Sequence, residues 1–205
     1  MKAPASGLAL LAAGLWTVLA FAAAAAAPPA DMSLGNPNAP VTVIEYASVG
    51  CPHCGSWERE VFPAFRRQFI DTGKVRFVMR EMLTGDANVA AAGFLTARCA
   101  GPDKYFQVVD GLFDAQPQMA ADGDDLPSLL KVAGEAGLSK LEVSNCLSDQ
   151  AALNALEERA DGWVKNEHVD ATPTFDIDGK MLVGEIPLTT LAQAIDAAER
   201  ARTRR

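Results

Sequence analysis

Cys51-Pro52-His53-Cys54 places two cysteines one helical turn apart, immediately after an apolar segment. Two thiols at this spacing can cycle between a dithiol and a disulfide. At the start of a helix, the first sulfur lies over unpaired backbone N–H groups and the positive end of the helix dipole, which lowers a cysteine pKa to about 3.5–7.5. Pro52 suits a first helical turn, and His53 can add a positive charge or an N–H donor beside Cys51. We therefore predict thiol–disulfide exchange at this segment.

The sequence lacks the further closely spaced ligands that a zinc site at this motif would need, because its remaining cysteines and histidine, Cys99, Cys146 and His168, lie far apart. A structural zinc ion needs about four Cys or His ligands at paired short spacings, and the sequence has no second C-x-x-C and no H-x-x-H. Haem attachment needs His directly after the second cysteine, and Gly55 stands there instead. We favour a redox pair over a structural disulfide or a metal site, and we predict no metal ion and no cofactor.

The first residues have the pattern of a secretory signal peptide. Lys2 precedes an apolar run from Leu8 to Phe21, and an alanine tract ends near Ala27, before two prolines. These are the charged, apolar and small-residue regions of a signal. We expect cleavage near Ala27 and export to the periplasm, an oxidising compartment in which disulfides persist. An uncleaved membrane anchor stays open as the alternative, since Leu8 to Ala27 is just long enough to span a bilayer.

Removal of residues 1–27 would leave residues 28–205, a length typical of a single domain. Lys2 is the one charged residue in the removed part, so the net charge would change from −8 to −9. An acidic domain of this kind argues against nucleic acid as a partner.

The segments around the motif predict a βαβ unit. Val41 to Ala47 is a β-branched and apolar run, bounded by prolines before it and Gly50 after it, and it predicts a buried strand. An amphipathic helix should follow, with a kink at Pro63. Its apolar stripe consists of Trp57, Val61, Phe65 and Phe69. Lys74 to Met82 returns to strand character, so the motif falls at a strand-to-helix turn.

The remainder divides into a helical part and a hairpin. From about residue 86 to residue 168 there is almost no β-branched run, which predicts several helices. Their expected breaks are Gly101-Pro102, Gln116-Pro117, Asp122-Gly123 and Gly137. Thr174 to Asp178 then alternates in polarity, and Asp178-Gly179 predicts a tight turn into Lys180 to Gly184. A final amphipathic helix should contain Leu188, Leu191, Ala192 and Ile195.

This order of elements, together with three local motifs, resembles the DsbA-type thiol–disulfide oxidoreductases of the thioredoxin superfamily. The motifs are Val43 to Ser48, Cys51-Pro52-His53-Cys54, and Ala171-Thr172-Pro173-Thr174 before the hairpin. The resemblance covers nearly all of residues 28–205. It implies an α/β thioredoxin-like fold with a helical insertion, at about residues 86–168, between the βαβ half and the C-terminal hairpin and helix.

The resemblance also implies residue roles. Cys51 would be the exposed nucleophile that carries the transferable disulfide, and Cys54 the buried partner that resolves or re-forms it through a mixed disulfide with the client. Thr172-Pro173 resembles the family's cis-proline loop, which offers backbone groups to an extended client peptide. From sequence alone, an ordinary trans proline that opens a strand stays open for Pro173.

Glu45 interrupts an otherwise apolar strand, six residues before Cys51. A buried carboxylate is costly unless it is paired, so Glu45 either faces solvent at the strand's edge or has a functional neighbour. The family carries a buried acid at this place, beneath the second cysteine. We expect Glu45 to move the proton of Cys54, with a pKa raised by desolvation.

Cys99 and Cys146 lie 47 residues apart in the predicted helical part. An exported chain with an even cysteine count favours a structural disulfide between them, which the loop-entropy estimate makes worth about 3–4 kcal/mol. Free buried thiols and a second redox pair are the alternatives.

Three classes of function stay open. The favoured one is an oxidase that introduces disulfides into reduced, newly exported proteins and is itself reoxidised by a membrane quinone-linked partner, as the resemblance implies. Thr172 keeps an isomerase or reductase open, because the best-known oxidases of this type carry Val before the proline. Against that class, isomerases of the superfamily generally add a dimerisation domain, for which Pro28 to Asn36 is too short. We expect a monomer. A copper-binding protein that uses Cys51 and Cys54 is the third class.

Overall fold

The computed structural model describes residues 31–204, and the segment predicted as a signal peptide lies outside this range. Five strands form one sheet in the order β1-β3-β2-β4-β5. Their bounds are β1 Met32–Leu34, β2 Val41–Ala47, β3 Val75–Glu81, β4 Thr174–Ile177 and β5 Lys180–Val183. The pair β2 and β3 is parallel, and the other neighbouring pairs are antiparallel. The central strand β2 is buried along most of its length, as its β-branched and apolar residues predict.

Eight α-helices accompany this sheet in the described residues. They are α1 Pro52–Glu60, α2 Phe62–Phe65, α3 Ala87–Cys99, α4 Tyr105–Asp122, α5 Leu126–Glu135, α6 Lys140–Leu147, α7 Gln150–Asn166 and α8 Leu188–Thr203. Helices α3 to α7 follow one another along the chain between β3 and β4 and form the helical insertion. The predicted α/β thioredoxin-like fold with a helical insertion is thereby confirmed.

The connection from β2 to β3 contains the predicted kink. Helix α1 ends at Glu60, and α2 begins at Phe62 with Pro63 in its first turn, followed by a π-helical turn over Arg66–Ile70. Because Pro63 has no N–H to donate, it cannot continue the hydrogen-bond ladder of α1. The aromatic stripe fills the core against the sheet, and the ring centroids of Trp57 and Phe175 are 4.6 Å apart.

One predicted break in the helical insertion is wrong. Helix α4 continues through Pro117 to Asp122, although Gln116-Pro117 was expected to end it. Proline removes a single helical hydrogen bond, and the carbonyl that Pro117 leaves without a helical donor, that of Phe113, accepts instead from Arg59 at 2.5 Å. The helix therefore loses no net hydrogen bond at this proline.

The insertion is attached to β3 through a buried ionic cluster. Glu81 is 2% exposed and accepts from Arg98 at 2.6 Å and from Arg159 at 2.7 Å. The Tyr105 hydroxyl donates to the same carboxylate at 3.0 Å. These three donors come from α3, α7 and α4, so one carboxylate at the end of a strand holds three helices.

Cys99 and Cys146 form a disulfide that links the end of α3 to α6, with their Cα atoms 6.2 Å apart. Ser139 begins α6 with a capping box, in which its hydroxyl accepts from the Glu142 N–H while the Glu142 carboxylate accepts from the Ser139 N–H. The disulfide lies within the insertion, apart from the motif at Cys51.

The C-terminal elements follow the predicted hairpin and helix. Asp178 and Gly179 form the turn with φ angles of 51° and 86°, a left-handed conformation that Asp and Gly tolerate. Helix α8 packs against β2 and β4 through Leu191, Ala194 and Ile195. None of the helices within residues 31–204 combines the length and the apolar character that a membrane crossing needs.

Candidate active site

The turn between β2 and α1 presents Cys51 at the helix start. Cys51 is the N-cap of α1, in an extended conformation with φ −100° and ψ 119°, and Pro52 is the first helical residue. The Cys51 N–H donates to the Ser48 carbonyl at 3.0 Å. The Ser48 hydroxyl accepts from the Gly50 N–H at 3.1 Å and donates to the Thr84 carbonyl at 2.8 Å. These hydrogen bonds fix the backbone conformation of the turn that carries Cys51.

The Cys51 thiol is surrounded by hydrogen-bond donors. Hydrogen bonding by the Cys54 thiol is the main cause that lowers the pKa of Cys51 to about 5, and donors from the Thr172 side chain and the N–H groups of Cys54 and His53 act in the same direction. Partial burial opposes this shift. Cys51 is only 6% exposed, whereas the sequence analysis expected an exposed nucleophile. The nucleophile is more buried than expected because the loop at Thr172 lies against its sulfur.

The Cys54 thiol has the opposite environment. It is fully buried, with the Ser48 N–H at 3.5 Å from its sulfur. Burial is the main cause that raises the pKa of Cys54 far above its ordinary value, and the neighbouring Cys51 and Glu45 add to it. Cys51 therefore favours the thiolate and Cys54 the thiol in the reduced protein. Both cysteines are unbonded in this structure.

Two carboxyls lie buried beneath this pair. Glu45 has no exposed surface and Glu58 is 6% exposed. Within residues 31–204, neither oxygen of Glu45 has a partner at full hydrogen-bond geometry. Desolvation is the main cause that raises the pKa of Glu45 to about 8, which Glu58 partly offsets by hydrogen bonding. Desolvation is also the main cause that raises the pKa of Glu58 well above its ordinary value, and the neighbouring Glu45 is the second cause. Glu45 is therefore mostly neutral near pH 7, and the raised pKa of Glu58 shifts that carboxyl toward its neutral form.

The sequence did not single out Glu58. It stands four residues after Cys54 and beside Trp57 on the buried face of α1. That position within the apolar stripe is the signal that could have revealed it. Beyond Glu58, a cavity of about 370 Å³ reaches the acidic side chains Asp110 and Asp114 of α4. Burial raises the pKa of Asp110 to about 6.

His53 lies on the outer face of the motif. Its Nδ1 is 2.6 Å from a carboxylate oxygen of Glu185, and the two side chains are 74% and 38% exposed. Hydrogen bonding to Glu185 raises the pKa of His53, and the same contact lowers the pKa of Glu185. Glu185 is 132 residues away in sequence, so no local pattern could have indicated it.

The loop before β4 lies against Cys51. The Thr172-Pro173 peptide bond is cis, and the Thr172 carbonyl is 3.5 Å from the Cys51 sulfur. The hydroxyls of Thr172 and Thr84 are 2.6 Å apart, which ties this loop to the segment after β3. The structure thus brings Cys51, Pro52, His53, Cys54, Glu45, Thr172 and Pro173 together at one end of the sheet.

A groove of about 350 Å³ lies between the insertion and the residues that flank Cys51, Gly50 and Pro52. Its apolar walls include Val49, Pro52, Val89 and Met119, and Asp86 and Asp125 add negative charge. No group of three or more His, Cys, Asp or Glu side chains within residues 31–204 is arranged to hold a metal ion.

A thioredoxin-type sheet with C-x-x-C at the first helix and a cis-proline loop against it defines the class of thiol–disulfide oxidoreductases. Comparison with known proteins agrees with this class. The family model described as thioredoxin matches residues 27–197. The chain therefore belongs to the thioredoxin family, and its resemblance to the DsbA-type members is confirmed.

Several named relatives share most of the chain. A Rickettsia conorii protein whose name includes "protein-disulfide oxidoreductase" is 30% identical over 169 residues, covering 82% of this chain and 60% of that protein. Disulfide bond formation protein D of Bacillus subtilis is 27% identical, covering 73% of this chain and 68% of that protein. The chain spans 60–64% of the length of the rickettsial relatives it matches.

Solved structures share the fold. The crystal structure of Wolbachia pipientis α-DsbA1 superposes with a TM-score of 0.76 at 25% identity, covering 84% of this chain and 92% of that one. Oxidised BdbD from Bacillus subtilis gives a TM-score of 0.74 at 21% identity, with 83% and 93% covered.

Proposed function

We propose that this protein is an exported thiol–disulfide oxidoreductase that acts as an oxidase, introducing disulfides into reduced proteins outside the cytoplasm. The observation that carries the proposal is the asymmetry of the two thiols: the pKa of Cys51 is lowered to about 5, while the pKa of Cys54 is raised. A stabilised Cys51 thiolate favours the reduced state of the pair. The disulfide form is then a strong oxidant.

The reaction transfers two electrons from the client to the cysteine pair. A client thiolate attacks the Cys51 sulfur, the Cys51–Cys54 bond breaks, and its electron pair leaves with Cys54. A second client thiolate then attacks the client sulfur of the mixed disulfide, and Cys51 departs as a thiolate. A low pKa makes Cys51 a good leaving group.

Cys54 needs a proton as it leaves, because its raised pKa disfavours a buried thiolate. Glu45 is neutral near pH 7 and is close enough to Cys54 to raise the pKa of that thiol. We assign Glu45 as the proton donor to Cys54, with Glu58 as the carboxyl that restores the proton from the side of the cavity. The same route in reverse removes the proton when the pair is reoxidised.

Thr172 and Pro173 would hold the client. The Thr172 carbonyl beside the Cys51 sulfur is a main-chain group that an extended client segment can pair with, a form of strand addition. His53, paired with Glu185, would support the Cys51 thiolate from the exposed side.

The cellular setting is part of the proposal. We assign residues 1–27 as a signal peptide that directs the chain to the periplasm, and residues 28–205 as one domain that works as a monomer. The rickettsial relatives and the Bacillus disulfide bond formation protein support reduced client proteins as substrates. By family resemblance, a membrane quinone-linked protein would reoxidise the Cys51–Cys54 pair.

The test is equilibration of the purified protein with glutathione buffers, with the Cys51–Cys54 state measured by alkylation and mass spectrometry. An oxidase keeps the pair reduced even in buffers that hold mainly glutathione disulfide, and the oxidised form transfers its disulfide to a reduced, unfolded client. A pair that stays oxidised in strongly reducing buffers would instead indicate a reductase. A Cys54→Ser variant should trap client proteins through Cys51, and a Cys51→Ser variant should not.

A further inference from the structure

Gln116, on α4 of the insertion, contacts the turn that carries Cys51. Its side-chain amide donates to the Val49 carbonyl at 2.8 Å and to the Cys51 carbonyl at 3.0 Å. Its carbonyl oxygen accepts from Arg59 of α1 at 3.4 Å. The reverse orientation would put oxygen against two carbonyls and N–H groups against a guanidinium, so these neighbours fix the orientation of the amide.

Two sequence features allow Gln116 to come this close. Gly55 follows directly on Cys54, and a β-carbon at Gly55 would overlap the Gln116 side chain. Pro117 has no N–H, so it leaves the Phe113 carbonyl free for Arg59. Arg59 thus bridges Phe113 and Gln116, and the amide of Gln116 continues the connection to the redox turn.

We propose that Gln116 is a positioning residue for Cys51, through which the helical insertion sets the acidity of the Cys51 thiol. The inference rests on the proposed redox role of the Cys51–Cys54 pair. Gln116 fixes the two carbonyls on either side of Gly50, and the Cys51 carbonyl also accepts the first helical bond, from the Gly55 N–H at 3.2 Å. The orientation of Cys51 toward the helix start therefore depends on Gln116.

The direction of the effect follows from the charges involved. Without the two amide donors, the Val49 carbonyl loses its Gln116 partner and the Cys51 carbonyl keeps only the Gly55 N–H. Less positive charge then offsets the negative carbonyl oxygens in the turn that carries Cys51, which disfavours the thiolate. The turn also gains freedom to move the sulfur away from the N–H groups at the start of α1. Both changes raise the pKa of Cys51 and make the disulfide form a weaker oxidant.

The experiment compares Gln116→Met with a matched control, Gln118→Met, in the otherwise unchanged protein. Methionine has nearly the size of glutamine but no N–H donor. Gln118 lies on the same helix and donates only to Asp122, at an exposed position. Alkylation of Cys51 against pH should show a pKa rise of about one unit for Gln116→Met, a tenfold change in the thiolate equilibrium. The glutathione equilibrium should shift in the same proportion, and Gln118→Met should match the wild type.

A purely structural role predicts a different pattern. If Gln116→Met lowers the thermal midpoint but leaves the Cys51 pKa and the glutathione equilibrium unchanged, the inference is overturned. Should that variant fail to fold, Gln116→Leu supplies a second uncharged side chain without an N–H donor, and it must raise the Cys51 pKa. A wild-type protein whose Cys51 titrates as an ordinary thiol would contradict the proposed function itself, which separates the two failures.

Discussion

Two buried glutamates on neighbouring strands have opposite surroundings. Glu81 of β3 contacts two arginines and a tyrosine hydroxyl, whereas Glu45 of β2 has no partner at full hydrogen-bond geometry. Both are buried to 2% exposure or less. The arginines compensate the charge of Glu81, so its role is to attach the insertion to the sheet. Desolvation, which Glu58 offsets only in part, keeps Glu45 mostly protonated near pH 7. From this difference we infer that the lack of a charged partner, and not burial alone, distinguishes a carboxyl suited to exchange a proton.

The largest expected effect is on stability, at the paired carboxylate. Glu81→Gln leaves Arg98 and Arg159 facing a neutral group, and breaking a buried ion pair in this way costs about 3–5 kcal/mol. Urea unfolding at pH 7 measures the loss. The matched variant Glu45→Gln replaces a carboxyl that is already neutral and should cost far less. Equal losses for the two variants would remove the contrast between the strands.

The second prediction concerns the pH dependence of stability. The pKa of Glu45 is about 8 in the folded protein, against an ordinary value of 4.5. The folded state therefore holds a proton that the unfolded chain releases above pH 4.5, and stability falls as the pH rises from 4.5 to about 8. Glu45→Gln should reduce this fall, and Glu45→Gln combined with Glu58→Gln should reduce it further, in urea unfolding at pH 5 and pH 8. The fall that remains belongs to other groups with raised pKa values, among them Asp110 and His53. An identical pH profile in the wild type and the double variant would contradict the assignment.

The third prediction concerns the proton of Cys54. Glu45→Gln should slow disulfide transfer to a reduced client by about 10²-fold, the lower end of the contribution of general acid–base catalysis. Glu58→Gln should slow it less and change its pH profile, because Glu45 then exchanges its proton more slowly. Stopped-flow measurements across pH give these rates. Glu60→Gln is the control, since Glu60 lies on the exposed side of the same helix. Unchanged rates in both buried variants would exclude a proton role.

The smallest expected effect is at the exposed pair of His53 and Glu185. Glu185→Gln replaces the carboxylate that raises the pKa of His53 with a neutral acceptor, so the imidazole should titrate at a lower pH in an NMR titration. The pKa of Cys51 should change by less than about half a unit, because solvent screens this pair. A large change in Cys51 would mean that the exposed face controls the thiolate more strongly than the turn does.

Local sequence patterns predicted much of the fold and one of the two buried carboxyls beneath the cysteines, Glu45. The redox motif, the kink at Pro63 and the turn at Asp178-Gly179 depend on a few adjacent residues, and each of these features appears in the structure. Glu45 was predictable because a charged residue within an apolar strand is unusual. Glu58 was harder to recognise, since glutamate is common in amphipathic helices and only its place beside Trp57 in the apolar stripe distinguishes it.

Long-range contacts could not be predicted from local sequence. Gln116 contacts Cys51 from 65 residues away in the sequence. Pro117 was predicted to break a helix, and that prediction is wrong because Arg59 of another helix replaces the hydrogen bond that the proline removes. The contacts of Gln116 and Pro117 depend on how the insertion packs against α1, and the periodicity of a sequence does not predict that packing.

The central claim is the asymmetry of the two thiols in the reduced protein. Thiolate absorbance and alkylation, followed residue by residue from pH 3 to pH 10, test it most directly. The account predicts that Cys51 titrates near pH 5 and that Cys54 stays protonated across the whole range. Titration of both thiols together near the ordinary cysteine pKa of about 8.5 would contradict it.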